Sequence, residues 1–422
     1  MSNTTENNIH PNFSQSEIEI LKRLGNKVAG FAARNCEKRK AKLWTAHNDL
    51  KTTEPLVFID PENGWGEIIT SESLECSHQL ARDWEAGLKR TIYHAEYLKD
   101  DMVIDDYFNV GYVYKTDGWG IDLKKTGGQG GGSYKIEQVL EDYERDFQKI
   151  HFPNLIIDFD ATKEHLELAE GIFKGILKVR QYTMWWWSLG LTNNYIDLRG
   201  LEDFMCDFIL EPEWVHRMMD LLCQGNKKRI AYLESNNLLS LNAGNNYVGS
   251  GGFGFTDMLP QTNYIPNKVR AMDMWGFVES QETVSISPDF YGEFIFPYHK
   301  KIAELFGLNC YGCCEPYEKR WKYIKNIPRL RRVSCSPWSD RTSMEENLGK
   351  NYIASIKLLP TNLATKVMNE NVVREDIRMA VEGAKNCITE LIMKDNNTLG
   401  GNPNNAIRWV ELCREEIARV HH

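Results

Sequence analysis

Leu308-Asn309-Cys310-Tyr311-Gly312-Cys313-Cys314-Glu315-Pro316 is the stretch from which the rest of the chain is read. It gathers three of the ten cysteines and a carboxylate within six residues, 310–315. An amphipathic run precedes it (297–307) and another follows (317–327). A short apolar segment closed by Gly and Pro between two helical patterns reads as a buried strand opening into a loop. In α/β barrels that is where the reactive side chains stand. Cysteine sulfur and carboxylate oxygen are both zinc donors, and a catalytic zinc site uses about three protein ligands with one position left open. Cys313 and Cys314 are the leading candidates, with Glu279, Glu315 or Cys335 completing the set. Cys310 and Cys313 have Cys-x2-Cys spacing, but no second such pair occurs, which disfavours a zinc knuckle. Simple packing of individual thiols is the competing reading.

Outward from this stretch, apolar runs alternate with helical periodicity. Strand-like runs stand at 55–59, 101–108 (continuing toward 111–114), 155–160, 181–187, 238–242, 274–279, 308–311, 330–335 and 352–357. Helical patterns cover 17–39, 73–98, 136–150, 162–174, 201–210 and 212–236. Near-continuous apolar strands with helices between them predict a parallel sheet covered on both faces. Roughly eight such units predict a TIM-type (β/α)8 barrel. The expected organisation is a disordered tail over 1–16 and a single α/β barrel domain over 17–422, with N-terminal helices and long loops at 115–133 and 243–267. Residues 126–133 hold five glycines but no Gly-Lys-Ser/Thr, so a flexible connection or lid is expected rather than a phosphate loop. The glycines at 249–254 suggest a lid or a partner-docking surface.

A net charge of −9 and a pI near 5.7 argue against nucleic acid and anionic membrane as partners. No apolar run approaches the ~20 residues of a membrane span, and 1–16 lacks a signal-peptide core. Ten cysteines without a secretory signal fit a reduced, cytoplasmic protein. Cys36, Cys76, Cys206, Cys223, Cys387 and Cys413 are expected as buried packing thiols, and His78 and His94 as packing or surface histidines. A barrel mouth would collect strand-end residues, among them Glu62, Trp185, Trp187, Gln281, Tyr311, Trp338 and Lys357.

Trp275-Gly-Phe-Val-Glu279, Ile286-Ser-Pro-Asp-Phe-Tyr-Gly-Glu-Phe-Ile-Phe-Pro-Tyr298, Leu198-Arg-Gly-Leu-Glu-Asp-Phe-Met205, Glu211-Pro-Glu-Trp-Val-His216 and the 310–316 block together resemble the uroporphyrinogen decarboxylase superfamily. The resemblance runs over most of 134–364 and implies a TIM-type barrel. The true decarboxylases carry an arginine-rich N-terminal motif; here the corresponding strand ends in Asp60-Pro-Glu-Asn-Gly-Trp65, a poor host for a many-fold carboxylated tetrapyrrole. The resemblance is closest to the corrinoid-dependent, O-demethylase type methyltransferases. It implies zinc bound by Cys313, with Tyr311 standing where those relatives carry histidine. The family's last cysteine maps onto Leu359-Pro360-Thr361, so Glu279, Glu315 or Cys335 would complete the sphere. It further implies Tyr311 and Glu279 as catalytic groups. Trp185, Trp187, Phe253, Trp275 and Trp338 would face substrate and corrinoid. The methyl donor would be a small, methoxylated aromatic, and the cobalamin would be carried by a separate corrinoid protein, since this chain has no Asp-x-His-x-x-Gly motif. A homodimer is an expected assembly. The alternatives are a metal-free lyase acting on a small acid and a non-catalytic barrel that binds a tetrapyrrole or corrinoid.

Overall fold

The computed structural model describes residues 12–51, 54–121, 123, 125–127 and 134–421. Six apolar segments pair as one parallel sheet in the order Leu56–Ile59, Ile388–Met393, Ile353–Lys357, Leu330–Cys335, Leu308–Tyr311, Trp275–Val278. Nearly every residue in them is buried, as expected of a sheet covered on both faces. The strands at 308–311 and 330–335 match the sequence reading residue for residue. Ile388–Met393, second in the sheet between Leu56–Ile59 and Ile353–Lys357, is a strand that reading omits.

Both outer edges of this sheet are finished by side chains instead of further ladder. On one edge the Asp101 N–H donates to the Val57 carbonyl at 2.8 Å, and the Asp101 and Asp100 carboxylates accept from the Val57 and Ile59 N–H groups at 2.7 and 3.2 Å. On the other edge the Asn242 side-chain amide accepts from Trp275 N–H at 2.8 Å and donates to the Trp275 carbonyl at 3.0 Å. Leu189 N–H reaches the Phe277 carbonyl at 2.9 Å. Edge donors and acceptors are thereby satisfied without inviting another chain. A second parallel pair, Tyr107–Val110 with Lys178–Gln181, stands apart from the six-stranded ladder.

Several expected elements differ; the strands read at 101–108 and 181–187 stand at Tyr107–Val110 and Lys178–Gln181. Leu155–Asp158 is the antiparallel partner of Val113–Thr116, with helix Phe159–Phe173 starting at once; its residues alternate between half-buried and exposed, as in a one-sided strand. Residues 238–242 form no strand, because Asn242 supplies the edge contacts through its side chain. The helix expected over 136–150 shrinks to Tyr143–Asp146 and one further turn; Ile136 pairs in a hairpin and Leu140 N–H bonds the Leu198 carbonyl. Most of the expected tail and residues 128–133 lie outside the described residues.

The sheet is curled. Two strands separate Leu308–Tyr311 from Ile388–Met393, roughly 14 Å at ordinary strand spacing, yet Cys314 Sγ lies 3.7 Å from Asp395 Oδ2 just beyond the ends of those two strands. The concave interior is filled by a small hairpin, Tyr247–Val248 with Gly252–Phe253. The start of the 243–267 loop is therefore neither lid nor docking surface: Val248, Ser250 and Phe253 are buried. Gly249 (φ +64) passes so close to Cys310 that a Cβ would fall 2.9 Å from its sulfur. Below the hairpin, Arg332 donates to Glu390 at 2.8 and 3.1 Å and to Asn48 Oδ1 at 2.7 Å, while His47 Nε2 meets Glu390 at 3.1 Å. His47 and Asn48 come from helix Asn35–Asn48, which follows helix Gln15–Ala32. Helix Asn35–Asn48 thus covers one end of the curled sheet, while Gln15–Ala32 packs on helices Gln79–Tyr93 and Phe159–Phe173. Of the scattered cysteines, Cys76, Cys223, Cys387 and Cys413 are buried as expected, but Cys36 and Cys206 are exposed on helix surfaces. His94 is a packing histidine, buried against Asp100 at 3.1 Å. Among the described residues no helix is long and apolar enough to cross a membrane.

Candidate functional site

At the C-terminal ends of the strands, Cys313, Cys314 and Asp395 bring two sulfurs and a carboxylate oxygen within 4.8 Å of one another. Local bonds hold this arrangement in place. The Glu315 carboxylate accepts from the Cys313 and Ser280 N–H groups, each at 2.9 Å, and Ser334 Oγ donates to the Cys313 carbonyl at 2.9 Å. Asp395 follows the Ile388–Met393 strand with φ 60, and Glu62 follows the first strand with φ 48. Both are left-handed without being glycine, a backbone cost that tends to gather at functional sites.

Charge concentrates here. Cys313 Sγ accepts from Ser250 Oγ at 3.3 Å, lies 3.8 Å from Lys394 Nζ and is 3.6 Å from Cys314 Sγ. The hydrogen bond from the Cys314 thiol, aided by Lys394 and Ser250, holds the Cys313 thiol below its ordinary range against the effect of burial. The same bond, together with burial, pushes Cys314 well up. Lys394 Nζ is 2.9 Å from Asp395 and 3.7 Å from Glu62. Burial disfavours its charge, but Tyr247, Cys313, Asp395 and Glu62 outweigh this and hold it protonated. Glu62 is pushed up to about 7 by burial, with Lys394 opposing. The donor chemistry, two sulfurs and one oxygen with solvent on one side, fits a three-ligand zinc site.

The other expected site residues are dispersed. Glu315 is fully buried and spent on loop N–H groups. Glu279 lies behind the mouth, accepting from Ser188 Oγ at 3.0 Å and Gln281 N–H at 3.2 Å; burial, then Glu282 and Glu315, push its carboxyl well up. Cys335 is buried on its strand. Tyr311 alternates with the inward Cys310 and packs outward, its ring 6.4 Å from Tyr291. Trp185 bonds the Leu238 carbonyl, Trp275 bonds the Gly254 carbonyl, and Phe253 packs on Trp44 and Phe58, all in the core. Trp187 does reach the mouth, with Lys394 Nζ 5.3 Å from its ring. Asp395, Lys394, Ser250 and Tyr247 are site residues that sequence reasoning omits.

Beside the cluster lies a cavity of about 550 Å³ lined by Gln281, Val284, Ile286, Pro288, Cys314, Pro316, Glu318, Lys319, Arg320 and Trp338. Cys314 borders both the donor cluster and this cavity. A smaller cleft of about 30 Å³ runs along Tyr182 to Trp187.

No family model matches the sequence, and no curated protein matches it. Among solved structures, a methyltransferase from Methanosarcina mazei superposes with a TM-score of 0.49 at 10% identity, over 89% of this chain and 98% of that one. A superposition this loose bears on neither activity nor ligand.

Proposed function

We propose that this chain is a zinc-dependent methyltransferase built on a (β/α)8-type barrel. It takes a methyl group from a small methoxylated aromatic donor and delivers it to the cobalamin of a separate corrinoid protein. The observation that supports this reading best is the Cys313–Cys314–Asp395 group. Three donors of the types zinc takes converge from strands that are not neighbours, one side is open, and a cavity of substrate size adjoins. The loop at Leu359-Pro360-Thr361, where the resemblance places the family's last ligand, offers none; Asp395 follows the next strand, Ile388–Met393, which the sequence reading omits.

In the reaction the ether C–O bond breaks with its electron pair left on oxygen, which takes up a proton, and the methyl group passes to the partner's reduced corrinoid. Bound zinc would supply Lewis acidity at the ether oxygen. Cys313, whose thiol is biased toward its charged form, and Asp395 would hold the metal as anionic donors, with Cys314 as the third ligand in its deprotonated form. Lys394 offsets part of this negative charge from 2.9 Å. The 247–253 hairpin closes the interior beneath the cluster, so the reacting groups meet only at the mouth.

Elemental analysis tests the reading. Close to one zinc per purified chain is expected, lost in Cys313→Ala and Asp395→Ala and kept in Cys36→Ala. Trace zinc in the parent protein, or full zinc in Asp395→Ala, would overturn it. Demethylation that proceeds without added corrinoid protein would overturn the assignment of the partner.

A further inference from the structure

Cys313 and Cys314 are neighbours in the chain, and their sulfurs are 3.6 Å apart. Adjacent side chains on a strand point to opposite faces. Here the strand has ended: Gly312 is left-handed (φ +86), and the bends at 313–315 turn both sulfurs into one cluster. Their surroundings differ. Cys313 is 2% exposed, with Ser250 Oγ at 3.3 Å and Lys394 Nζ at 3.8 Å from its sulfur. Cys314 is half-buried and lines the cavity of about 550 Å³, so a small solute meets Cys314 first. Other sulfurs of the sheet are engaged elsewhere. Cys310 lies 3.8 Å from Arg332 Nη1, and Cys335 lies 3.7 Å from the Val333 carbonyl.

We propose that Cys313 and Cys314 close into a reversible disulfide when a peroxide reaches the mouth, which switches the metal site off. Cys314 Sγ attacks one oxygen of hydrogen peroxide and the O–O bond breaks. The sulfur keeps a hydroxyl as a sulfenic acid, and the thiol proton leaves with the other oxygen as water. Cys313 Sγ then attacks the Cys314 sulfur and the S–O bond breaks. The Cys313 proton leaves with that hydroxyl as a second water. The sulfurs together give up two electrons, which the peroxide takes. Closure brings the sulfurs from 3.6 Å to about 2.05 Å. It turns the intervening peptide, whose carbonyl accepts from Ser334 Oγ at 2.9 Å. Adjacent Cα atoms are about 3.8 Å apart, under the usual disulfide span of about 4.4 Å or more, so the bond is strained and easily reduced. Loss of metal rests on the zinc reading, since the disulfide removes two of the three donors. The disulfide itself does not depend on that reading.

The test exposes the full chain, as purified and after chelator treatment, to equimolar hydrogen peroxide. Expected are a mass lower by two hydrogens, two fewer free thiols, a disulfide mapped to 313–314, and both thiols restored by dithiothreitol. Cys313→Ser is expected to stop at a sulfenic acid on Cys314, trapped by dimedone, and Cys314→Ser to give neither product. An unchanged thiol count, a disulfide joining other cysteines, or a sulfinic acid in place of the disulfide would overturn the proposal. Zinc released in step with thiol loss ties the switch to the metal site. A 313–314 disulfide in a chain that never held zinc upholds the switch although the metal reading fails. Zinc at one per chain that survives peroxide with every thiol free overturns the switch and leaves the metal site standing.

Discussion

Two charged clusters are built into the same curled sheet, one at each end of its interior. At the lower end Arg332, Glu390, His47 and Asn48 meet at 2.7 to 3.1 Å, with the Arg332 and Glu390 side chains 2% and 0% exposed. At the upper end Cys313 meets Cys314, Ser250 and Lys394 at 3.3 to 3.8 Å, Asp395 lies 3.7 Å from Cys314, and its side chain is 43% exposed. The lower cluster is a forked arginine–carboxylate pair with its polar atoms nearly all matched; short, bidentate bonds fix one arrangement. The upper cluster is built on two sulfurs, whose contacts are longer by the size of the atom, it keeps one short ion pair, Lys394 with Asp395 at 2.9 Å, and it opens on a cavity. Burying charge is costly in both places. At one end the cost is offset by bonds the chain makes to itself, and at the other the donors remain available to something that is not the chain.

If that contrast is right, removing one partner has different consequences at the two ends. Arg332→Met strands the buried Glu390 carboxylate and should lower unfolding stability by about 3–5 kcal/mol, measured by urea denaturation. Cys313→Ser should cost less than about 1 kcal/mol, and equal losses would break the comparison. Glu17 belongs with the tight cluster: burial would raise its carboxyl, but the N–H groups of His78, Ser14 and Ser77 and the Ser14 hydroxyl hold it down to about 2 from 4.5. A depressed carboxyl contributes stability above its unfolded value and loses it as pH falls through the folded one. Glu17→Gln should therefore cost on the order of 1–3 kcal/mol near neutral pH, the gap to the parent narrowing below about pH 4.5 and closing near pH 2; a pH-independent gap would remove Glu17 from the tight class. Stripping metal with a chelator should abolish transfer yet move the unfolding midpoint by no more than about 2 °C. A large shift would mean the upper cluster is structural after all. Asp395→Gly relieves a left-handed backbone (φ 60); its stability should be unchanged or raised by up to about 1 kcal/mol, while bound zinc falls at least tenfold.

The parts legible in the sequence are those where a single physical signal dominates. Leu308–Tyr311 and Leu330–Cys335 are marked by the turn residues that flank them, Gly307 and Gly312 for the first and Pro328 and Pro337 for the second, even though Arg331, Arg332 and Ser334 break the apolar pattern of the second, and Cys313 and Cys314 stand out by their density. Ile388–Met393 is hidden because no Gly or Pro closes it before Gly400 while Thr389 and Glu390 interrupt its apolar pattern, and Glu390 is there to meet Arg332, a partner 58 residues away in sequence. Losing that strand also hides Lys394 and Asp395, which look like ordinary surface charges at a loop start. Tyr311 and Cys335 were legible as strand-end residues, but alternation and burial, which depend on how the sheet curls, decide which of them face the mouth. The Gly249–Gly254 run misleads for a similar reason: glycine there serves close approach to Cys310 and Arg332 rather than mobility.

The hairpin at 247–253, set between the two clusters, fills the interior of the curled sheet, so among the described residues it separates the upper cluster from the lower one. If the proposed methyl transfer holds, a small donor at Cys314 and a partner protein at the same mouth would share one threshold, and steady-state kinetics would then show the small molecule entering first and the partner, in excess, slowing its release.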